Sequence, residues 1–232
     1  VYVGLRSEDL GVAAGGKASI DVLTVRPDAT VAPNTTVQLS LVKRDWNVTS
    51  EQGVDGEFYY NSSPSDTQIS TMNVVTGKDG KTKGSFTIPS AGEYRIIAQA
   101  TDDRGRTSES VWTLYAWGDT YVNWPRSNND ALDIVADKSS YNVGDTAHIV
   151  VKSPYQGKGV KALLTVEREQ VISSTVYDVK SNAMKFDIPI RETSVPVVYA
   201  SVTITKPRQG ESFDAQGKDT GLPASKIGYI KL

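Results

Sequence analysis

The chain has 232 residues, with 25 Lys and Arg against 27 Asp and Glu, so its formal charge of -2 excludes the basic footprint of a nucleic-acid or anionic-membrane binder. It has no cysteine, which excludes disulfide scaffolds, thiolate metal sites and cysteine nucleophiles. No apolar run approaches the ~20 residues of a spanning helix and no signal peptide opens the chain, which reads as a segment excised or processed from something longer.

The length suits two ordinary domains, each able to close a core unaided. Seven strands are expected before residue 118, at 1–6, 18–25, 36–43, a broken fourth at 58–60 and 67–75, then 84–88, 93–101 and 108–117. Val37, Leu39 and Leu41 alternate with Gln38, Ser40 and Val42, the period of a strand buried on one face. The 18–25 run is less one-sided, because Ile20, Val22 and Thr24 alternate with Asp21, Leu23 and Val25. Asp102-Asp103-Arg104-Gly105 reads as a hairpin turn. Residues 45–66 are rich in Ser, Asn, Asp and Gly around Phe58, Tyr59 and Tyr60. They form either a binding loop on a rigid sandwich or a long hairpin excursion whose aromatics cover the sandwich edge.

Residues 119–130 break the strand pattern with Trp124-Pro125 and Asn128-Asn129-Asp130, which places a linker between a first domain at 1–118 and a second at 131–232. Trp117, Tyr121 and Trp124 are expected to pin that linker as an interdomain contact, or alternatively to form a sugar-binding aromatic platform. Leu132, Ile134 and Ala136 then alternate with Asp133, Val135 and Asp137, and Tyr141 leads into the tight turn Asn142-Val143-Gly144-Asp145. Ala147, Ile149 and Val151 share one strand face and His148, Val150 and Lys152 the other, before Ser153-Pro154 ends the run. Seven strands are again expected, at 132–136, 148–152, 162–168, 173–179, 184–190, 197–204 and 226–232. The fold class is therefore all-β, two tandem seven-stranded antiparallel β-sandwiches. The stretch 206–225 carries two prolines and three glycines. It reads as an exposed, mobile loop with Lys206, Arg208 and Lys218 as its protease-sensitive positions.

Catalytic groups are sparse. The single histidine, His148, falls opposite the apolar face of its strand and is expected on the sheet surface, and no Gly-x-Ser-x-Gly elbow appears. Asp102-Asp103 and Asn128-Asn129-Asp130 lack the spacing of a calcium loop and read as turns. No catalytic residue, metal or cofactor is expected, and the chain reads as a non-enzyme. Asn34, Asn47 and Asn61 head Asn-x-Ser/Thr triplets, which are glycan acceptors in a eukaryotic secretory route or chance matches elsewhere.

The runs ADKSSYNVGDTAHIVVKSP and ALLTVERE resemble the bacterial branch of the alpha-2-macroglobulin family, in the macroglobulin-like domains before its bait region. The matching residues are Asp137-Lys138, Tyr141, Gly144-Asp145-Thr146, Ser153-Pro154-Tyr155 and Thr165-Val166-Glu167-Arg168. Tyr121 to Trp124, Asn128-Asn129 and Ile227-Gly228-Tyr229-Ile230 extend the likeness. The resemblance implies immunoglobulin- or fibronectin-III-like sandwiches that act as scaffold in a protease trap, where cleavage of a bait releases strain and the shell closes on the protease. Its implied partners are target proteases, met through the full-length parent, and neighbouring macroglobulin-like domains, with no nucleic acid and no direct membrane insertion. Its implied location is periplasmic, cell-surface or extracellular. It also puts the bait beyond this segment rather than at 206–225, and Gln209-Gly210-Glu211 lacks the cysteine that a thioester requires. The competing class is an adhesin or carbohydrate-binding surface protein, with ligand contacts on loops 45–66 and 206–225.

Overall fold

The computed structural model describes residues 1–8, 10–54, 58–210, 212–213, 217 and 219–232. Apart from a short 3-10 turn at Glu192–Ser194, the regular structure among these residues is all strand. The chain divides into two compact units. One holds Val1–Asp45 with Asp66–Ala116, and the other holds Trp46–Ser65 with Trp117–Leu232.

The first unit is built on β1 (Tyr2–Arg6), β2 (Gly11–Ala13), β3 (Lys17–Val25), β4 (Thr36–Gln52), β5 (Phe58–Val75), β6 (Lys81–Thr87), β7 (Gly92–Thr101) and β8 (Thr107–Trp117). One sheet runs β1-β3-β6 and the other β2-β8-β7-β4-β5. Their inner faces meet through Ile20 and Val22 of β3, Leu39 and Leu41 of β4, Phe86 of β6, and Tyr94 and Ile96 of β7. Here β3 is more one-sided than its sequence suggests: Ala18, Ile20, Val22 and Thr24 are all buried, and their neighbours in alternation are exposed or half-exposed. Thr24 can occupy a core position because its hydroxyl donates to the Ala32 carbonyl at 2.6 Å and lies 3.0 Å from the Thr76 hydroxyl. A buried hydroxyl satisfied in this way loses most of its desolvation penalty.

Two strand expectations change. The short β2 has too little periodicity to be read, and the broken fourth strand is continuous from Phe58 to Val75. Together with β4, which continues to Gln52, it turns 45–66 into the outer half of a two-stranded arm, the hairpin-excursion alternative. The pattern was hidden because nearly every residue of β5 between 61 and 71 is exposed, leaving no apolar alternation to mark a strand. Pro64 lies within β5, which is an edge strand and so tolerates a missing amide donor.

At the base of the arm, in the first unit, Arg44 grips Asp66 with Nε at 2.7 Å and Nη2 at 2.8 Å, and Arg95 approaches at 3.4 Å. The Arg44 hydrogen bond outweighs burial and holds the Asp66 carboxyl below its ordinary range. A depressed carboxylate contributes stability that is fully present above its unfolded pKa of about 3.9 and is lost as pH falls through the folded value. Asp66→Asn is therefore expected to lower stability by about 0.5–1 kcal/mol at neutral pH, as for a well-formed surface pair. Urea titrations of parent and variant should converge in acid below the ordinary carboxylate range. A difference that persisted there would assign the effect to packing instead.

The second unit has β9 (Ile134–Ala136), β10 (Thr146–Lys152), β11 (Lys161–Glu167), β12 (Val171–Asp178), β13 (Ala183–Pro189), β14 (Tyr199–Lys206) and β15 (Ala224–Lys231). Its sheets run β13-β10-β9 and β12-β11-β14-β15, with a core of Ile149, Val151, Leu164, Phe186, Ile188, Val202 and Ile204 among others. The free edge of β15 is covered by the chain entering the unit. Ala131 bridges Ile227 in parallel, Leu132 donates to the Ile227 carbonyl, and Ile227 donates to that of Asp130. Gly228 permits this approach, since a Cβ there would run into the Leu132 carbonyl.

The residues that carry the family resemblance form a structural corner. Asp137 is buried and accepts from the Tyr141 hydroxyl at 2.6 Å and from the His148 backbone N–H at 2.8 Å. Burial pushes the Tyr141 phenol up, so it stays a donor. The next turn closes as its residues predict: Asp145 accepts from the Asn142 amide, and Gly144, at φ 97°, donates to the Ile190 carbonyl. Ile190 donates back to Asp145, which locks the turn to the end of β13.

Candidate functional site

The site begins from an anomaly on β10. Val150 points away from the core with His148 and Lys152, yet it is 1% exposed. The cover is the end of β8 and the segment that follows it. The Trp117 ring lies 6.0 Å from that of His148 and has the Lys185 ammonium 5.6 Å from its centroid, and Lys185 is the register partner of Val150. Trp124 lies at the other end, 5.8 Å from the Lys152 ammonium. Two indoles thus bracket Val150 and make a second, smaller apolar layer on the outer face of the sheet.

Asn182, just before β13, fixes that segment. Its side-chain amide donates to the Val122 carbonyl at 2.6 Å and accepts from the Val122 N–H at 3.0 Å, mimicking a strand partner. Its backbone carbonyl accepts from the Trp124 indole at 2.7 Å. Ser181 donates to Gly118, and Gly118 pairs with Ala183. Val122 and Trp124 are buried by this clamp, which turns the alternate residues outward, leaving Tyr121 51% exposed and Asn123 exposed. Of the three aromatics singled out by sequence, Trp117 and Trp124 serve one face of this unit, while Tyr121 points to a cleft.

That cleft, of about 420 Å³, lies within the second unit between residues 46–50 of the arm and residues 121–126. The arm is tied down on its other side. Arg126 N–H donates to the Ser62 hydroxyl at 3.0 Å, Tyr60 N–H donates to the Asn128 side chain at 2.6 Å, and the Arg126 guanidinium lies 5.4 Å from the Tyr60 ring centroid. Tyr60 belongs to the aromatic cluster visible in the sequence. Trp46, Arg126 and Asn182 were not anticipated, because isolated polar and aromatic residues outside any period carry no local signal.

The 207–223 connection between β14 and β15 borders the cleft through Thr220. Its described part is paired with itself: Gln209 N–H donates to Gly221, Thr220 N–H to Ser212, and Phe213 bridges Asp219. Arg208 donates to Asp219 from both terminal nitrogens, at 3.0 and 3.1 Å, and Lys206 donates to the Thr220 carbonyl at 2.6 Å. Lys218 and Glu211 lie outside the described residues. Phe213 is 65% exposed.

His148 is engaged on the sheet surface, its Nδ1 2.5 Å from Asp187, which also pairs with Lys185 at 2.8 Å. Burial pushes the Asp187 carboxyl up, but the hydrogen bonds from Lys185 and His148 outweigh it and the net shift is downward. The cluster joins β10 to β13 through the His148–Asp187 hydrogen bond, with Lys185 pairing Asp187 along β13. Among the described residues no three His, Asp or Glu side chains gather as a metal site, and no helix is long and apolar enough to cross a membrane.

Comparison with known proteins adds three findings. Residues 4–117 match the model described as bacterial macroglobulin domain 6, and residues 132–220 match the alpha-2-macroglobulin bait region domain. The second match brings a bait region domain inside the chain, whereas the resemblance carried by its sequence implies a bait further along. Two curated proteins are similar: an alpha-2-macroglobulin homolog of Nostoc sp., 24% identical over 91% of this chain and 11% of its own length, and an alpha-2-macroglobulin of Rickettsia conorii, 26% identical over 66% of this chain and 8% of its own. The chain thus spans about a tenth of the curated relatives it matches. Among solved structures, the native Escherichia coli alpha-2-macroglobulin aligns over 99% of this chain and 15% of its own, at 18% identity and a TM-score of 0.43. Salmonella alpha-2-macroglobulin reacted with methylamine aligns over 96% and 13%, at 17% identity and a TM-score of 0.39.

Proposed function

The chain belongs to the alpha-2-macroglobulin family, and from that premise we propose that it is a non-catalytic scaffold segment of a bacterial protease inhibitor, its second unit framing the segment that a protease cuts. The observation that carries this reading is where the bait-region match ends, at residue 220, inside the 207–223 connection. The surrounding β-sandwich supplies a rigid frame, and the connection joins its last two strands, β14 and β15. Target proteases, neighbouring modules of the parent and a periplasmic or cell-surface location are part of the same proposal, as is a junction role for Trp117, Tyr121 and Trp124. The Arg208–Asp219 pair and the Lys206–Thr220 bond hold the base of the connection, so Phe213, an exposed large apolar side chain beyond that base, is the position a protease meets first.

Limited proteolysis with trypsin, chymotrypsin and elastase tests this. The earliest cuts are expected within 207–223 for all three enzymes, with chymotrypsin cutting after Phe213 before trypsin cuts after Arg208. Cleavage requires a local opening, and Phe213, held by a single bridge to Asp219, opens more often than Arg208, whose side chain is ion-paired to Asp219 and whose neighbour Gln209 is hydrogen-bonded to Gly221. First cuts in the 46–65 arm or in 119–130 would refute the assignment.

A further inference from the structure

We infer that the cleft between residues 46–50 of the arm and residues 121–126 is a saccharide-binding site, which takes a sugar chain bearing a carboxylate. This goes beyond the protease-trap reading and does not depend on it.

Sugar rings are recognised by flat aromatic faces, which cover their C–H surfaces, together with planar polar groups that pair with neighbouring hydroxyls. Both kinds converge here. Trp46, Tyr60 and Tyr121 line the cleft with Asn47, Asn123 and Arg126, and its volume of about 420 Å³ falls among those of small-ligand sites. Tyr121 and Asn123 face outward on one extended segment, held by the Asn182 clamp on the buried residues between and beyond them. A ring presented from a clamped backbone loses little freedom on binding, so more of its contact energy becomes affinity.

Among the described residues, three polar groups of the cleft have no polar side-chain partner. Asn47 and Asn123 are exposed and their side-chain amides make no hydrogen bond to other described residues. Arg126 pairs with no carboxylate among the described residues; its guanidinium rests on the Tyr60 ring, which leaves its fork of donors for a planar anion. The lining is mostly hydroxyls, amides and rings, with few aliphatic side chains to form a dry pocket for an apolar peptide anchor. The alternative open in the sequence, beside an interdomain contact, is a platform of Trp117, Tyr121 and Trp124. The structure buries Trp124, turns Trp117 to His148, and gives Tyr121 different companions.

The test is calorimetric titration of the full chain with tetragalacturonate, with maltotetraose as a neutral counterpart and tetraglutamate as an acidic peptide. Saturable binding of tetragalacturonate is expected, tighter than that of maltotetraose. Tyr121→Ala should weaken it by about tenfold, the loss of one good aromatic contact. Arg126→Gln should erase the preference for the carboxylated sugar while retaining the neutral one, and Asn123→Ala should weaken both. Tyr229→Ala, which removes another exposed tyrosine, 62% exposed on β15, should change nothing. The inference fails if neither sugar binds saturably, if binding survives Tyr121→Ala and Arg126→Gln unchanged in variants that melt like the parent, or if tetraglutamate binds as tightly with the same dependence on these residues.

Discussion

Asn182→Ala is expected to lower the stability of the second unit by about 1–3 kcal/mol, because it leaves the Val122 N–H a buried orphan, while the Val122 carbonyl loses one of its two donors and keeps the Trp124 N–H at 3.1 Å. Val122 is 1% exposed and Asn182 1%, so water cannot replace the lost partner without opening the segment. The Trp124 indole bond survives in this variant, since its acceptor is the Asn182 backbone carbonyl. That separates two readouts. Denaturant unfolding should report the whole loss, and hydrogen exchange should show the Val122 amide among the most accelerated. Asn182→Asp keeps an acceptor for the Val122 N–H but sets a carboxylate against the Val122 carbonyl, so its cost at neutral pH should equal or exceed that of alanine. A cost below about 0.5 kcal/mol for Asn182→Ala, the usual range of inconsequential surface changes, would mean that the segment is held by its indoles alone.

The clamp matters for both functional readings. Residues 117–126 leave β8, cover Val150, and turn Tyr121 toward the cleft, so the same two hydrogen bonds that stabilise the fold set the geometry of the candidate saccharide site. Loosening the clamp should therefore weaken sugar binding in proportion to the opening, since a pre-organised ring becomes a mobile one.

What the sequence reveals follows from what is periodic in it. β4, β7, β10 and β11 bury every second residue, and the alternation of Leu39 with Leu41 or Ile149 with Val151 marks the strands because burial is what the period reports. The arm is the converse case. Its described strand residues are solvated on most positions, so nothing in 45–66 distinguishes strand from loop, and the aromatics there lie some sixty residues in sequence from the Tyr121 segment. The clamp is hidden for a different reason: one asparagine acting as a surrogate backbone has no sequence signature. The lone histidine was legible as a surface residue from its parity on β10, but Val150 on the same face was not legible as buried, because its cover comes from outside the sheet.

The family-like run Asp137-Lys138, Tyr141, Gly144-Asp145 shows how a motif can be visible before its reason is. Asp137→Ala is expected to cost about 3 kcal/mol, since it strips the acceptor from both the Tyr141 hydroxyl and the His148 amide in a buried corner. Tyr141→Phe removes one donor from the carboxylate and should cost about 1.5–3 kcal/mol, as for a hydrogen bond to a charged group. The two changes share one interaction, at 2.6 Å, so the double variant should be less destabilised than the sum, by at least about 0.5 kcal/mol in a thermodynamic cycle. Asp137→Asn should fall between parent and alanine, because an amide oxygen still accepts but without charge assistance. Additive losses in the cycle would break the link between tyrosine and aspartate and leave the motif without this physical basis. Coupled losses would mean that Asp137 and Tyr141 are kept together by the corner that joins β9 to β10, a requirement of the fold that holds whatever the parent protein traps or binds.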